Sequence, residues 1–418
     1  MALRHITAFE HQSLWLDEGP PPATITTAEA ERLLEIGERR PGFCERGFRS
    51  IKLAQYCGLV SLGERMLEIL PKVDDGAPAE DCRGILLNLL HESTAFPLFR
   101  HLSAGHHLRQ APLLEVFIAA FFEEIAAIIR GGLLRQYQEC ADDIALVRGR
   151  IMLGRQFAVL ANRSDRVACQ FDELTADNAW NRFLKAALLV VRPWISKIEL
   201  HRRWVELMAV FDEVADVPME PDALKGFRID RQATRYRTAI DWARWILSLL
   251  APQLRAGDNT APGLLFDMNL LFQSAVANAL RRHYEDRHDV DVLVQDTGTH
   301  LGAALEDQRK AFALRPDIVV RDRGRVVVVV DTKWKRLDAE PSAGRGPAPS
   351  DVYQMHAYAS AYDCPSLTLV YPRHSDLFMD ASLAYELSTT GPSRPILRIA
   401  LVDVDQSPLP VYELLGGI

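Results

Sequence analysis

The chain has 418 residues, 48% hydrophobic and 25% charged, with 48 Lys and Arg against 56 Asp and Glu for a formal net charge of −8. That length supports two or three domains with their own cores, and no apolar run approaches a membrane span, so a membrane role is excluded. The acidic balance excludes a uniformly basic surface: phosphate binding must be concentrated locally or supplied by a partner.

The start, MALRHITAFEHQ, lacks the apolar core of a secretory signal, and a cytoplasmic protein is expected. Cys44, Cys57, Cys82, Cys140, Cys169 and Cys364 are scattered without a CxxC pair, so neither a zinc ribbon nor a disulfide framework is suggested. From Met1 to about Leu108 the pattern is mixed. Thr26 or Thr27 caps an expected helix over 28–38, strands are expected at 51–54 and 58–60, and 65–72 alternates and stops at Pro71. A helix over 81–91 follows. His101, His106 and His107 lie close together, but no carboxylate or cysteine completes a metal-ligand spacing, and a polar loop is expected there.

Pro112 opens a long helix whose apolar face uses Leu114, Phe117, Phe121, Ile125 and Ile128, until Gly131 and Gly132 stop it. Residues 133–141 read as resumed helix, 147–151 as a tight basic turn, and Asp177-Asn178 as the cap of a helix over 179–191. Further helices are expected over 194–207 and 239–250. Arg148, Arg150, Arg155, Arg163 and Arg166, and again Arg228, Arg231, Arg235 and Arg237, fit either a solvated surface or phosphate and partner binding. Residues 251–263 are rich in Pro, Gly and small polar residues and read as a domain boundary.

Beyond that boundary a helix is expected over 264–284, a strand over 290–294, strands over 312–320 and 325–333, a loop over 338–350, a helix over 352–362 and a strand over 366–371. Asp351 with Gln354 resembles a capping box for that last helix. Five consecutive valines, Val326 to Val330, run into Asp331, Thr332 and Lys333, so a β-branched strand delivers polar residues at its end. With period two, Asp331, Lys333 and Lys335 share one face and Thr332 and Trp334 the other. A turn centred on Arg323 sets Asp317 opposite Val329, diagonal to Asp331 on the same face. A turn one residue shorter reverses that face unless a bulge restores it. Two carboxylates suit Mg²⁺, a hard cation that keeps several waters, and a lysine two residues on can orient or deprotonate a water or stabilise charge at phosphorus. The bland alternative is a hairpin ending in solvated charges.

Asp317 with Asp331-x-Lys333, set in the order helix, three strands, helix, strand, resembles the PD-(D/E)xK nuclease superfamily. Within it the chain resembles the McrC family. The residues that carry this are Phe266-Asp267-Met268-Asn269-x-Leu271-Phe272, Arg315-Pro316-Asp317-Ile318, Asp331-Thr332-Lys333-Trp334-Lys335 and Gln354-Met355-x-Ala357-Tyr358, with Leu67 to Lys72 and Arg148-Gly149-Arg150-Ile151 upstream. The resemblance implies an α/β (α+β) chain in three segments. They are a small α/β region at 1–110, a mainly helical region at 111–255 that docks a partner together with it, and a PD-(D/E)xK nuclease domain at 262–418 with a mixed sheet flanked by helices. It implies catalysis by Asp317, Asp331 and Lys333, with Mg²⁺ on the two aspartates. It also implies an McrB-like AAA+ partner that binds and hydrolyses GTP and is stimulated by this chain, and double-stranded DNA with modified cytosine as substrate.

The superfamily often places a glutamate on the first core helix, where this chain has Gln273, whose carbonyl oxygen can bind metal or orient a water but carries no charge. Asp267 is a second possibility on that helix, though out of phase. Gln354 and Tyr358, four apart on one helix face, either support Lys333, contact a phosphate or form a buried polar pair; Lys335 is a further supporting cation. Three readings follow: a GTP-dependent endonuclease subunit, a degenerate nuclease fold acting as a GTPase-activating adaptor, and a stand-alone nuclease.

Overall fold

The computed structural model describes residues 4–16, 24–99, 109–226, 233–251, 263–337, 346–375, 383–388 and 394–411. His101, His106, His107, Arg228, Arg231, most of the 251–263 boundary and residues 338–345 of the expected loop lie outside them. By its contacts the chain divides into two compact units, one of residues 1–3 and 114–262, the other of 4–113 and 263–418.

The N-terminal stretch runs β1 (Arg4–Phe9), β2 (Ser13–Leu16), β3 (Thr24–Ile25), α1 (Thr27–Arg39), β4 (Cys44–Gly47), β5 (Ser50–Leu53), β6 (Tyr56–Ser61), β7 (Arg65–Leu70) and α2 (Ala79–Glu92). Thr26 caps α1 with a reciprocal bond to Glu29, worth about 1 kcal/mol. The middle stretch runs α3 (Leu113–Arg130), β8 (Gln136–Ile144), β9 (Arg150–Ile151), α4 (Leu153–Ala158), β10 (Val167–Thr175), α5 (Ala179–Val191), α6 (Ile198–Val210) and α7 (Arg237–Leu250). Asn178 caps α5 as expected, its side chain accepting from Trp180 N and Asn181 N. Of residues 133–141, expected as helix, 136–141 belong instead to β8, which pairs antiparallel with β10 from Gln136 to Ile144, and 133–135 lead into it without regular structure. Helix-favouring Gln, Glu and Ala yield there to a long cross-strand pairing, which local propensity does not reveal.

The last stretch runs β11 (Gly263–Asp267), α8 (Met268–His283), β12 (Val290–Val294), β13 (His300–Ala303), β14 (Lys310–Ala313), β15 (Ile318–Asp322), β16 (Arg325–Thr332), α9 (Pro349–Tyr362), β17 (Ser366–Pro372), β18 (Ala384–Glu386) and β19 (Ile396–Val402). The expected helix over 264–284 is shortened at its start, because Gly263 to Asp267 pair antiparallel with β6 and Asp267 then caps α8. The expected strand over 312–320 is broken at Pro316, which has no N–H for a ladder, so β14 pairs with β13 and β15 begins at Ile318. Through β11, residues 263–267 complete the sheet β1-β7-β6-β11, so the segments read from sequence as 1–110 and 262–418 share one compact unit.

A six-stranded mixed sheet, ordered β12-β15-β16-β17-β19-β18, carries the valine run on an interior strand. β16 pairs antiparallel with β15 and parallel with β17, and Val328, Val329 and Val330 are fully buried. One face packs Val319, Val329, Leu367 and Leu369 under Met355, Tyr358 and Ala359 of α9. By alternation Val328, Val330, Thr332 and Trp334 face the other way, where the Trp334 ring meets Phe272 of α8 edge-on at 5.3 Å.

Candidate active site

The turn between β15 and β16 has Arg323 and Gly324 at its centre, both with positive φ (49° and 79°), the geometry of a two-residue hairpin loop. The register starts with Asp322 opposite Arg325, and a bulge between Val320 and Arg321 shifts it, so Val319 faces Val329 and Ile318 faces Val330. Asp317 therefore lies one step beyond Ile318, level with Asp331 rather than opposite Val329. The extra residue of the bulge keeps both aspartates on the face covered by α9.

Asp331 is only 2% exposed, and its Oδ2 stands 2.7 Å from Lys333 Nζ. Asp317 Oδ2 accepts from Thr332 N at 2.8 Å and Thr332 Oγ1 at 2.7 Å, which leaves Oδ1 as the oxygen free to face a cation. Burial pushes both carboxyls above the ordinary aspartate range, and the Asp317 charge raises Asp331 further while Lys333 pulls it back. Burial lowers the Lys333 ammonium, but Asp331, Asp351 and Asp317 together outweigh that and hold it above its usual value.

Lys333 Nζ also donates to Gln354 Oε1 at 3.1 Å; Gln354 Nε2 donates to Tyr358 Oη at 2.8 Å, and that hydroxyl donates to the Arg315 carbonyl at 3.1 Å. The pair on α9 thus ties the lysine to the residue two positions before Asp317. Burial pushes the Tyr358 hydroxyl up to about 12, so it stays a donor. Gln273 is buried, donates from Nε2 to the Asp317 carbonyl at 3.2 Å and accepts from Gln295 Nε2 at 3.3 Å. It holds the backbone of Asp317 and commits its carbonyl oxygen to Gln295. Asp267 is occupied at the α8 cap and with Gln55 Nε2 at 3.1 Å, away from the paired carboxylates.

Asp351 is the residue that pattern reading misplaced. It sits inside the first turn of α9, whose N-cap is Ala348 with no side-chain cap bond, so the expected capping box is absent. Its carboxylate instead holds Lys335 at 2.7 Å, Lys333 at 3.6 Å and the Tyr371 hydroxyl at 3.3 Å. The only sequence signal was an acidic residue in the first turn of a helix opened by Pro349, which the helix dipole explains equally well.

The arrangement offers a buried and a half-buried carboxylate on one face, a charged lysine beside them and a hydrogen-bonded relay fixing that lysine. Among the described residues no group of three or more His, Cys, Asp or Glu side chains is placed to hold a metal ion. Two carboxylates with raised proton affinity do fit a hard divalent cation that keeps most of its waters, as Mg²⁺ does. Among the described residues no helix is long and apolar enough to cross a membrane.

No curated protein matches the chain. Among solved structures, it is similar to a chain of a refined half-complex from a tetradecameric assembly of Thermococcus gammatolerans McrB AAA+ hexamers with bound McrC. Identity is 18%, 99% of this chain and 96% of that one are covered, and the TM-score is 0.67. A second match is to a chain in the Thermococcus gammatolerans McrBC complex, at 20% identity over 67% of this chain and 88% of that one, with a TM-score of 0.49. The first likeness shows a shared fold over nearly the whole length. The profile of the McrBC 5-methylcytosine restriction system component family matches residues 51–372, and the chain belongs to that family.

Proposed function

We propose that this chain is the Mg²⁺-dependent endonuclease subunit of a GTP-dependent restriction system directed at DNA with modified cytosine, and that it stimulates an McrB-like AAA+ GTPase. The observation that carries the nuclease reading is half-buried Asp317 beside buried Asp331 at the open end of the β15–β16 hairpin, with Lys333 against Asp331. Family membership supports the restriction system, and the fold shared with a chain from an assembly of McrB AAA+ hexamers with bound McrC supports the partner. GTP is bound by that partner, not by this chain.

In this reading Asp317 and Asp331 hold Mg²⁺, which when bound supplies Lewis-acid activation of water and charge neutralisation at the scissile phosphate. Lys333, kept protonated by its acidic neighbours, stabilises the negative charge that develops on phosphorus oxygens. Gln354 and Tyr358 fix the lysine, Gln273 fixes the Asp317 backbone, and Lys335 adds positive charge beside Lys333.

A second reading has its own observation: Gln273 brings no charge and points its oxygen at Gln295, so the site has one carboxylate fewer than a three-acid centre. The chain is then an adaptor that activates the GTPase without cutting. Purified chain, McrB-like partner, GTP and methylated DNA, with Mg²⁺ or with EDTA, separate the readings. The nuclease reading expects nicked and linear DNA only with Mg²⁺, partner and GTP. Raised GTP hydrolysis with intact DNA supports the adaptor, and cutting without nucleotide supports a stand-alone nuclease.

A further inference from the structure

Beside the centre, on the far side of Lys335, lies a cavity of about 320 Å³ that the chemistry above does not use, lined by Glu10, His11, Lys72, Asp75, Trp334, Lys335 and Arg336 among others. Its walls come from the N-terminal sheet and from the segment that follows β16. Glu10 continues β1, accepts from Lys72 N at 2.7 Å and takes the Trp334 indole N–H at 3.0 Å, which fixes one wall to the other.

The lining carries more positive than negative charge. Asp75, an exposed carboxylate, is shared by Lys72 at 2.8 Å and by Arg336, so one acid serves two cations. Asp351 likewise serves Lys335 and Lys333. Burial pushes the Glu10 carboxyl up to about 7, which removes much of its charge at neutral pH. His11, held at φ 62°, is lowered by burial and then by Lys52 and Lys72, a sign of positive potential at the mouth. Asp75 responds in the opposite direction, held down by hydrogen bonds to Lys72 and Arg336.

We infer that this cavity is a phosphate subsite for the DNA strand flanking the cleavage point, in which Lys72 and Arg336 exchange their shared Asp75 carboxylate for a backbone phosphodiester and Lys335, paired with Asp351, adds positive charge beside it. Lys335 belongs to the cavity and shares Asp351 with Lys333, so the subsite is continuous with the centre. The consequence is that the N-terminal region, through Lys72, forms part of the DNA path. This inference rests on the nuclease reading for its substrate.

The test is fluorescence anisotropy of full-length protein on a methylated duplex across a salt series, in an Asp331→Asn background that keeps the DNA whole. Lys72 is half exposed, and its side-chain ion pair with Asp75 is a surface contact, so Lys72→Ala keeps the fold, which a thermal melt checks. It is expected to weaken binding about five-fold and to reduce the slope of log affinity against log salt by about 1. Asp75→Asn is expected to act in the opposite direction and tighten binding. Unchanged affinity and slope in Lys72→Ala, or no tightening in Asp75→Asn, overturns the inference. Labelled GTP is the second probe: binding of GTP that depends on Lys72, with duplex binding that does not, assigns the cavity to a free nucleotide and also overturns it. The nuclease reading fails separately, if the chain with its partner, GTP and Mg²⁺ still cuts DNA when Lys333 or Asp331 is replaced.

Discussion

Asp331 shows what the site costs the fold. Its side chain is 3% exposed, and burial raises its carboxyl to about 6 from an ordinary 3.8. A group with a raised folded-state pKa contributes stability that is fully present below the unfolded value and is lost as pH rises through the folded one. The ionised aspartate therefore destabilises the protein at neutral pH, and Asp331→Asn removes that penalty while Lys333 keeps Gln354 and Asp351. Urea unfolding is expected to show the variant about 2 kcal/mol more stable than wild type at pH 7, with the difference vanishing near pH 4. A variant less stable at pH 7 contradicts this account of the carboxyl. The same burial explains why function could be suspected from sequence: a valine run that ends in Asp-Thr-Lys puts charge where only a paired or metal-bound group is tolerated. Asp351 was not legible, because its partners Lys333, Lys335 and Tyr371 come together only once β16, β17 and α9 have packed.

Among the elements, those with strong local signals were readable: α1 behind a threonine cap, α5 behind Asn178, β12, and the β15–β16 hairpin. The elements misread are the ones whose form depends on a distant partner. β8 is a strand because β10 pairs with it, and β11 because β6 does. The β6–β11 pairing has a local requirement at Gly58, whose φ of +133° places an added Cβ 2.0 Å from the Leu264 carbonyl oxygen. Gly58→Ala forces those two backbones apart or strains a conformation that alanine resists. We expect a loss of about 3 kcal/mol, read as a lowered urea midpoint. Gly76 also has positive φ, at 79°, but a Cβ there meets nothing within 4 Å, so Gly76→Ala is the control with a loss of about 1 kcal/mol.

At the level of the whole molecule, the six-stranded sheet does not stand on residues 263–418 alone. β11 completes an N-terminal sheet, Trp334 donates to Glu10, and Arg40 Nη1 donates to the Leu265 carbonyl at 3.1 Å. A fragment of residues 263–418 is expected to lack a cooperative thermal transition, because β11 and the Trp334 wall lose their partners. A fragment melting like the full chain contradicts that. The acidic composition requires any phosphate binding to be local, and in the proposed reading the cations gathered beside Lys333 supply that charge. The central claim is that β16 delivers the cleaving residues, and it is tested most directly by Lys333→Ala in the full chain with its GTPase partner, GTP, Mg²⁺ and methylated plasmid. The account predicts that linear product falls at least about 100-fold while stimulation of GTP hydrolysis stays at the wild-type level; linear product at the wild-type rate contradicts it.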